Sequence, residues 1–205
     1  ASIEERITPK TKAIILVNLF GQPANLVKIQ EIAKKHNLIL IEDNAQAPGA
    51  FYNDKLAGTY GDMGILSFNY HKHIQVGEGG AILTDNDDLA LKLQLIRNHG
   101  EAVVNDLDRE DLGDLIGYNY RLTELQAAIG TVQMKKLDFF VKKRVDLSEN
   151  LSELLTRHDF LTPPKVEEKA THVYYLYPMK YNAEKLGISR SLFVKALQAE
   201  GVNIS

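Results

Sequence analysis

The chain has 205 residues, 44% of them hydrophobic and 25% charged, a globular composition with enough apolar material for a core. Disordered, collagen-like and disulfide-scaffold classes are excluded, and the absence of Cys removes any thiolate metal site. With 24 Lys+Arg against 27 Asp+Glu the formal charge is −3, so there is no basic surplus to hold the phosphates of a nucleic acid.

No apolar run approaches the ~20 residues that span a bilayer, and the first residues lack the basic, apolar, small order of a signal peptide. The expectation is a cytoplasmic protein with neither membrane nor nucleic acid as partner. The missing initiator Met, and an end at residues 201–205 where an apolar strand is expected to begin, point to a piece of something longer.

Residues 13–17 (AIILV) are a short apolar run, followed by a Gly-Gln-Pro turn at Gly21 and then a helical pattern with Leu26, Ile29, Ile32 and Ala33 inward. Residues 38–41 form a second buried strand running into Glu42 and Asp43, which completes a parallel crossover unit. Residues 63–68 and 80–84 supply two more strands, the second antiparallel because so few residues separate them. A helix follows over 87–98, then an acidic loop over 101–114, polar enough to cover a site. Helices are expected over 121–137, with Thr123 as a cap, and over 138–157. Beyond Pro163 and Pro164, residues 173–177 (VYYLY) read as a strand of a different unit. A last helix should begin at Ser189 and stop at Gly201. The fold class is therefore α/β, with 1–140 as the later part of a large domain and 141–205 as a linking helix and part of a smaller α+β domain.

In open α/β sheets ligands bind beyond the carboxyl ends of the strands. Those ends carry Asn18, then Asp43 and Gln46, then Ser67 with Lys72 five residues on, and the Gly77-Glu-Gly-Gly80 turn. Neither a Walker pattern nor a dinucleotide glycine fingerprint is present. An Asp, a Ser and a Lys so placed match the needs of pyridoxal phosphate: an amine for a Schiff base, a carboxylate for the pyridine nitrogen and a hydroxyl for the phosphate. Residue types alone allow blander readings, since a strand-end Asp often caps a helix and a Lys flanked by His is often a solvated group.

The strings decide between these readings. Ile41-Glu-Asp-Asn-Ala-Gln-Ala-Pro-Gly-Ala50, Gly61-Asp-Met-Gly-Ile-Leu-Ser-Phe68, Lys72 ahead of Gly77-Glu-Gly-Gly-Ala81, and Gly117-Tyr-Asn-Tyr-Arg-Leu-Thr-Glu-Leu-Gln-Ala-Ala-Ile-Gly130 occur in order. With Leu19-Phe-Gly-Gln-Pro23 and Arg97-Asn-His-Gly100 they resemble the DegT/DnrJ/StrS family of nucleotide-sugar aminotransferases, from about Ile7 to the end.

The resemblance implies a fold type I pyridoxal phosphate enzyme. Lys72 would form the internal aldimine and shuttle a proton, Asp43 would pair with the pyridinium nitrogen, and Gln46 would lie near the ring. Ser67 would bind the phosphate, as would Asn119 from the other subunit of a homodimer that shares its active sites. Arg121 is a candidate for contact with the acidic substrate or the interface, and Asn18, where the family often has His, for contact with the ring or substrate. The implied reaction moves an amino group, commonly from glutamate, to a keto group of a nucleotide-linked deoxysugar for polysaccharide or related synthesis. Alternatives are a dehydratase relative, marked in the family by His in place of the Lys, or a non-catalytic binding or regulatory relative. A plain nucleotide-binding α/β protein is a third. The count to Gly77 puts Lys72, not His73, at the aldimine position. Family members are nearly twice this length, so the chain by itself is expected to bind the cofactor weakly or not at all.

The remaining candidates read as structural. His71 and His73 lack a carboxylate at metal-ligand spacing, so no metal is expected. Glu42 should face away from Asp43, and His172, Tyr174, Tyr175 and Tyr177 belong to the small unit's core and interface.

Overall fold

The computed structural model describes residues 2–101 and 115–204. After a short helix α1 (Ile3–Arg6), the apolar run becomes strand β1 (Ala13–Val17). Helix α2 (Leu26–Lys35) follows; its first turn is capped by Asn25, whose side chain accepts the Lys28 N–H at 3.2 Å. Strand β2 (Ile39–Asp43) lies parallel to β1 with Val17 opposite Asp43. A small hairpin, β3 (Phe51–Tyr52) with β4 (Lys55–Leu56), precedes β5 (Met63–Ser67), which is parallel to β2, and β6 (Gly80–Leu83), which returns antiparallel to β5. The sheet order is β1-β2-β5-β6. Its antiparallel edge strand is the one expected from the short connection.

The core lies on one side of this sheet. Leu16 and Leu40 meet Leu26 and Ala33 of α2, joined by Ala47, Ala50, Tyr52, Ala57, Tyr60 and Val173. Leu26 and Leu40 are almost completely buried, each worth about 2 kcal/mol of transfer free energy. Continuous apolar runs of this kind suit burial on both faces. Instead they alternate: Leu16 is 6% exposed while its neighbours Ile15 and Val17 are 67% and 45% exposed, because α2 covers one face only.

Helix α3 (Asp87–Arg97) is capped by Asn86. The acidic loop lies, apart from Glu101, outside the described residues. Helix α4 (Glu124–Met134) starts at Thr123, whose hydroxyl accepts the Gln126 N–H at 3.3 Å while Gln126 Oε1 accepts the Thr123 N–H at 3.1 Å, a reciprocal cap. Helix α5 (Leu137–Leu155) leads to β7 (Leu161–Thr162), paired antiparallel with β8 (Lys180–Tyr181). Helices α6 (Ala183–Leu186) and α7 (Arg190–Ala199) complete the order, α7 capped by Ser189.

Residues 173–177 are not a strand. Their β-branched and aromatic composition favours one, but Tyr174 has a φ of +48° and the segment is a turn folded against the loop after β1.

Candidate active site

Strands β1, β2 and β5 run parallel, so their carboxyl ends share one edge, and the ladder extends past each strand. The Asn18 N–H donates to the Asp43 carbonyl at 3.0 Å and the Asn44 N–H to that of Ile65 at 3.0 Å. Asn18 and Asn44 are both 0% exposed. Asn18 Nδ2 donates to Asn44 Oδ1 at 2.9 Å, Asn18 Oδ1 accepts the Ala24 N–H at 3.0 Å, and Asn44 Nδ2 donates to the Ala57 carbonyl at 3.1 Å. This chain of satisfied amides ties three loops to the strand ends.

Asp43 is half-buried, and its Oδ1 accepts the Ala45 N–H at 3.1 Å, closing a turn. Gln46 turns back to β1, where its Oε1 accepts the N–H of Phe20 at 2.7 Å. Phe20 sits at a φ of +60° in the single 3₁₀ turn Leu19–Gly21, so Gln46 holds a strained residue in place.

Ser67, the last residue of β5, accepts the Asn69 N–H on its Oγ at 3.3 Å. Asn69 organises the loop that follows: its Oδ1 accepts the His71 N–H at 3.0 Å, its Nδ2 donates to Glu78 Oε1 at 2.7 Å, and its carbonyl accepts the Lys72 N–H at 2.9 Å. Glu78 is thus a partner within the loop rather than only a turn residue. Lys72 is half-buried with Nζ 4.4 Å from the centre of the Tyr175 ring. His73 is buried and its Nε2 lies 2.8 Å from the Val173 carbonyl, so Nε2 carries the proton and donates, while Nδ1 has no partner. Burial lowers the His73 pKa, the Val173 bond opposes this, and the Arg144 and Lys72 charges lower it further.

Asn119 and Arg121 stand apart from this cluster. Asn119 pairs with Asn98 through a backbone bridge, and Arg121 Nη1 donates to Asn98 Oδ1 at 2.7 Å, both residues being exposed. Among the described residues no cluster of His and carboxylates suits a metal ion. Sequence reading missed two relationships: the Tyr175 ring beside Lys72, and the Gln46 tether on Phe20. Neither leaves a local signal, because each partner lies in a different part of the chain.

A half-buried amine, a strand-end carboxylate and a strand-end hydroxyl gathered along one edge form a donor set that fits pyridoxal phosphate. The architecture is that of the fold type I transferases that use this cofactor. The chain belongs to the DegT/DnrJ/EryC1/StrS aminotransferase family, whose model matches residues 1–205. It is similar to the GDP-perosamine synthase of Caulobacter vibrioides, 39% identical over 203 residues that cover 98% of this chain and 53% of that protein. Among solved structures it resembles the E. coli GDP-4-keto-6-deoxy-D-mannose-3-dehydratase with bound hydrated PLP, at a TM-score of 0.85 and 32% identity, covering 98% of this chain and 55% of that one. It also resembles Helicobacter pylori PseC, an aminotransferase of pseudoaminic acid biosynthesis, at a TM-score of 0.85 and 29% identity, covering 98% and 53%. The chain spans about half the length of the curated relatives it matches. No helix among the described residues is long and apolar enough to cross a membrane.

Proposed function

We propose that the protein carrying this chain is a pyridoxal phosphate-dependent aminotransferase acting on a keto group of a nucleotide-linked sugar, with an amino acid such as glutamate as donor. The observation that carries this reading is the placement of Lys72, a half-buried amine on the loop leaving β5, at the sheet edge that also presents Asp43 and Ser67. Family membership and the similarity to GDP-perosamine synthase support it.

When bound, the cofactor supplies an electron sink for the carbon that gains or loses the amine. Lys72 Nζ holds the cofactor and carries the proton exchanged at that carbon. The Asp43 carboxylate keeps a proton on the ring nitrogen, with its turn held by the Ala45 N–H. Ser67 Oγ would donate to the phosphate, and Gln46, whose tether fixes the turn after β1, would contribute near the ring. Asn119, exposed and anchored at Asn98, would reach the phosphate of a second subunit in a homodimer, and Arg121, held at the same Asn98, would meet acidic substrate or the interface. Asn18, wholly buried, contributes by ordering the strand ends. Residues 1–140 are the later part of the large domain and 141–205 a linking helix and part of the small one, in a cytoplasmic enzyme whose aminated sugar feeds polysaccharide synthesis.

A dehydratase reading draws on the similarity to the E. coli 3-dehydratase. Lys72 opposes it, and a nitrogen-free product would favour it. The test is reduction of the cofactor-loaded full-length protein with borohydride, followed by peptide mass spectrometry. A pyridoxyl adduct on the Lys72 peptide and glutamate-dependent amination of a GDP-linked keto sugar are expected. No adduct at Lys72 would overturn the reading.

A further inference from the structure

The catalytic amine proposed above does not stand alone: the face of the Tyr175 ring lies 4.4 Å from Lys72 Nζ. A ring holds a cation in a defined place only if the ring itself is fixed. Tyr175 sits in the turn that replaced the expected strand, and that turn is held from four sides. The Val173 N–H donates to the Gly21 carbonyl at 2.8 Å and the Leu176 N–H to that of Phe20 at 3.3 Å. Arg144 Nη1 donates to the Tyr174 carbonyl at 3.0 Å, and His73 Nε2 donates to that of Val173 at 2.8 Å.

The turn is also strained, which shows that its surroundings impose it. Tyr174 lies at a φ of +48°, a region bulky residues occupy only when tertiary contacts over-determine it. Gly21, at a φ of +105°, lets the two backbones approach; a Cβ there would stand 2.9 Å from the Tyr175 nitrogen and 3.0 Å from that of Tyr174. Adjacent residues of one loop therefore grip the same turn, His73 through the Val173 carbonyl and Lys72 through the Tyr175 ring. The His73 and Tyr175 rings are themselves 6.1 Å apart.

We propose that Tyr175 is a positioning residue for Lys72: its ring face holds Nζ at the carboxyl edge of the sheet, and the His73–Val173 hydrogen bond sets the ring's distance from the loop. The inference rests on the reading of Lys72 as the cofactor-bearing amine, but the contact lies wholly within this chain and can be measured without cofactor.

The experiment uses the cofactor-free full-length protein, reductively methylated with ¹³C-formaldehyde, which keeps the charge on Nζ; Lys72→Arg identifies the Lys72 signal. Ring current should move the Lys72 methyl resonance upfield of the lysines that have no ring beside them in the wild type and in Tyr175→Phe, and the shift should vanish in Tyr175→Leu while that of Lys55, 4.6 Å from the Tyr60 ring centre, stays. The rate of Lys72 methylation should rise about three- to fivefold in Tyr175→Leu and stay near wild type in Tyr175→Phe. A wild-type Lys72 resonance among those of solvated lysines, or one unchanged in Tyr175→Leu, would overturn the proposal. If Tyr175→Leu does not fold, the wild-type resonance alone decides. A borohydride adduct at Lys72 without the upfield shift would sink the positioning role and leave the function standing; the shift without the adduct would do the reverse.

Discussion

Glu42 and Asp43 are neighbours on β2 put to opposite uses. Glu42 is 0% exposed, and its carboxylate gathers the N–H groups of Gly58 at 2.7 Å, Tyr60 at 2.5 Å and Gly61 at 2.8 Å. Asp43, on the other face of the strand, is half-buried with one oxygen closing its own turn. One acid organises the turn beneath the strand ends, and the other is the carboxylate proposed for the cofactor.

Glu42→Gln should cost about 2 kcal/mol of folding stability, because an amide has one acceptor oxygen and turns an N–H toward donors that need an acceptor. Chemical denaturation measures it. A variant as stable as the wild type would show that the three N–H groups find water instead.

Asp43→Asn should leave stability nearly unchanged and lower turnover about 10²-fold or more, since the negative charge proposed to hold a ring proton is lost with little change of shape. Comparing denaturation midpoints with steady-state rates separates the two effects. Equal loss in both would reassign Asp43 to structure.

Gly64→Ala should destabilise by about 3 kcal/mol. A Cβ there would lie 1.9 Å from the Gly58 carbonyl oxygen, and Gly58 cannot retreat without giving up its bond to Glu42. A thermal melt tests this, and a melting temperature like the wild type's would mean that the Gly58 turn shifts freely.

Acid should loosen the segment around His172. Burial pushes its pKa from 6.5 down to about 4. Between these values the unfolded chain binds a proton that the folded chain refuses, so stability falls as pH drops from about 6.5 toward 4 and is unaffected by this group above that window. The contribution is on the order of 2 kcal/mol. His172→Gln should flatten the dependence of stability on pH relative to wild type between pH 7 and 4.5. Parallel curves would contradict the assignment.

The first two strand ends were readable because apolar runs stop abruptly at Asn18 and at Glu42, and period and punctuation are local properties. The Thr123 cap was readable for the same reason. The Glu42 orientation followed from the strand period, but its three donors did not, because they come from a turn whose path depends on the close approach of Gly64. Residues 173–177 misled: propensity favours a strand, and contacts with Phe20, Gly21, His73 and Arg144 override it. The neighbours of Lys72 stayed hidden because its aromatic partner arrives from a distant segment.

The bonds that join the turn at Val173 and its approach to the rest of the molecule are among the longest in sequence. His73 meets Val173 across 100 residues, and the Glu167 N–H meets Gln22 Oε1 across 145. Closing such loops carries an entropic cost that local helices and the strand crossover do not bear, so these contacts form late in folding. A nascent chain still short of residue 173 already contains β1, β2, β5 and β6 but lacks the ring that lies over Lys72 Nζ. The ring beside Lys72 Nζ is therefore set by tertiary docking, and a chain that stalls before that docking retains its local secondary structure while the Lys72 side chain lacks its aromatic neighbour.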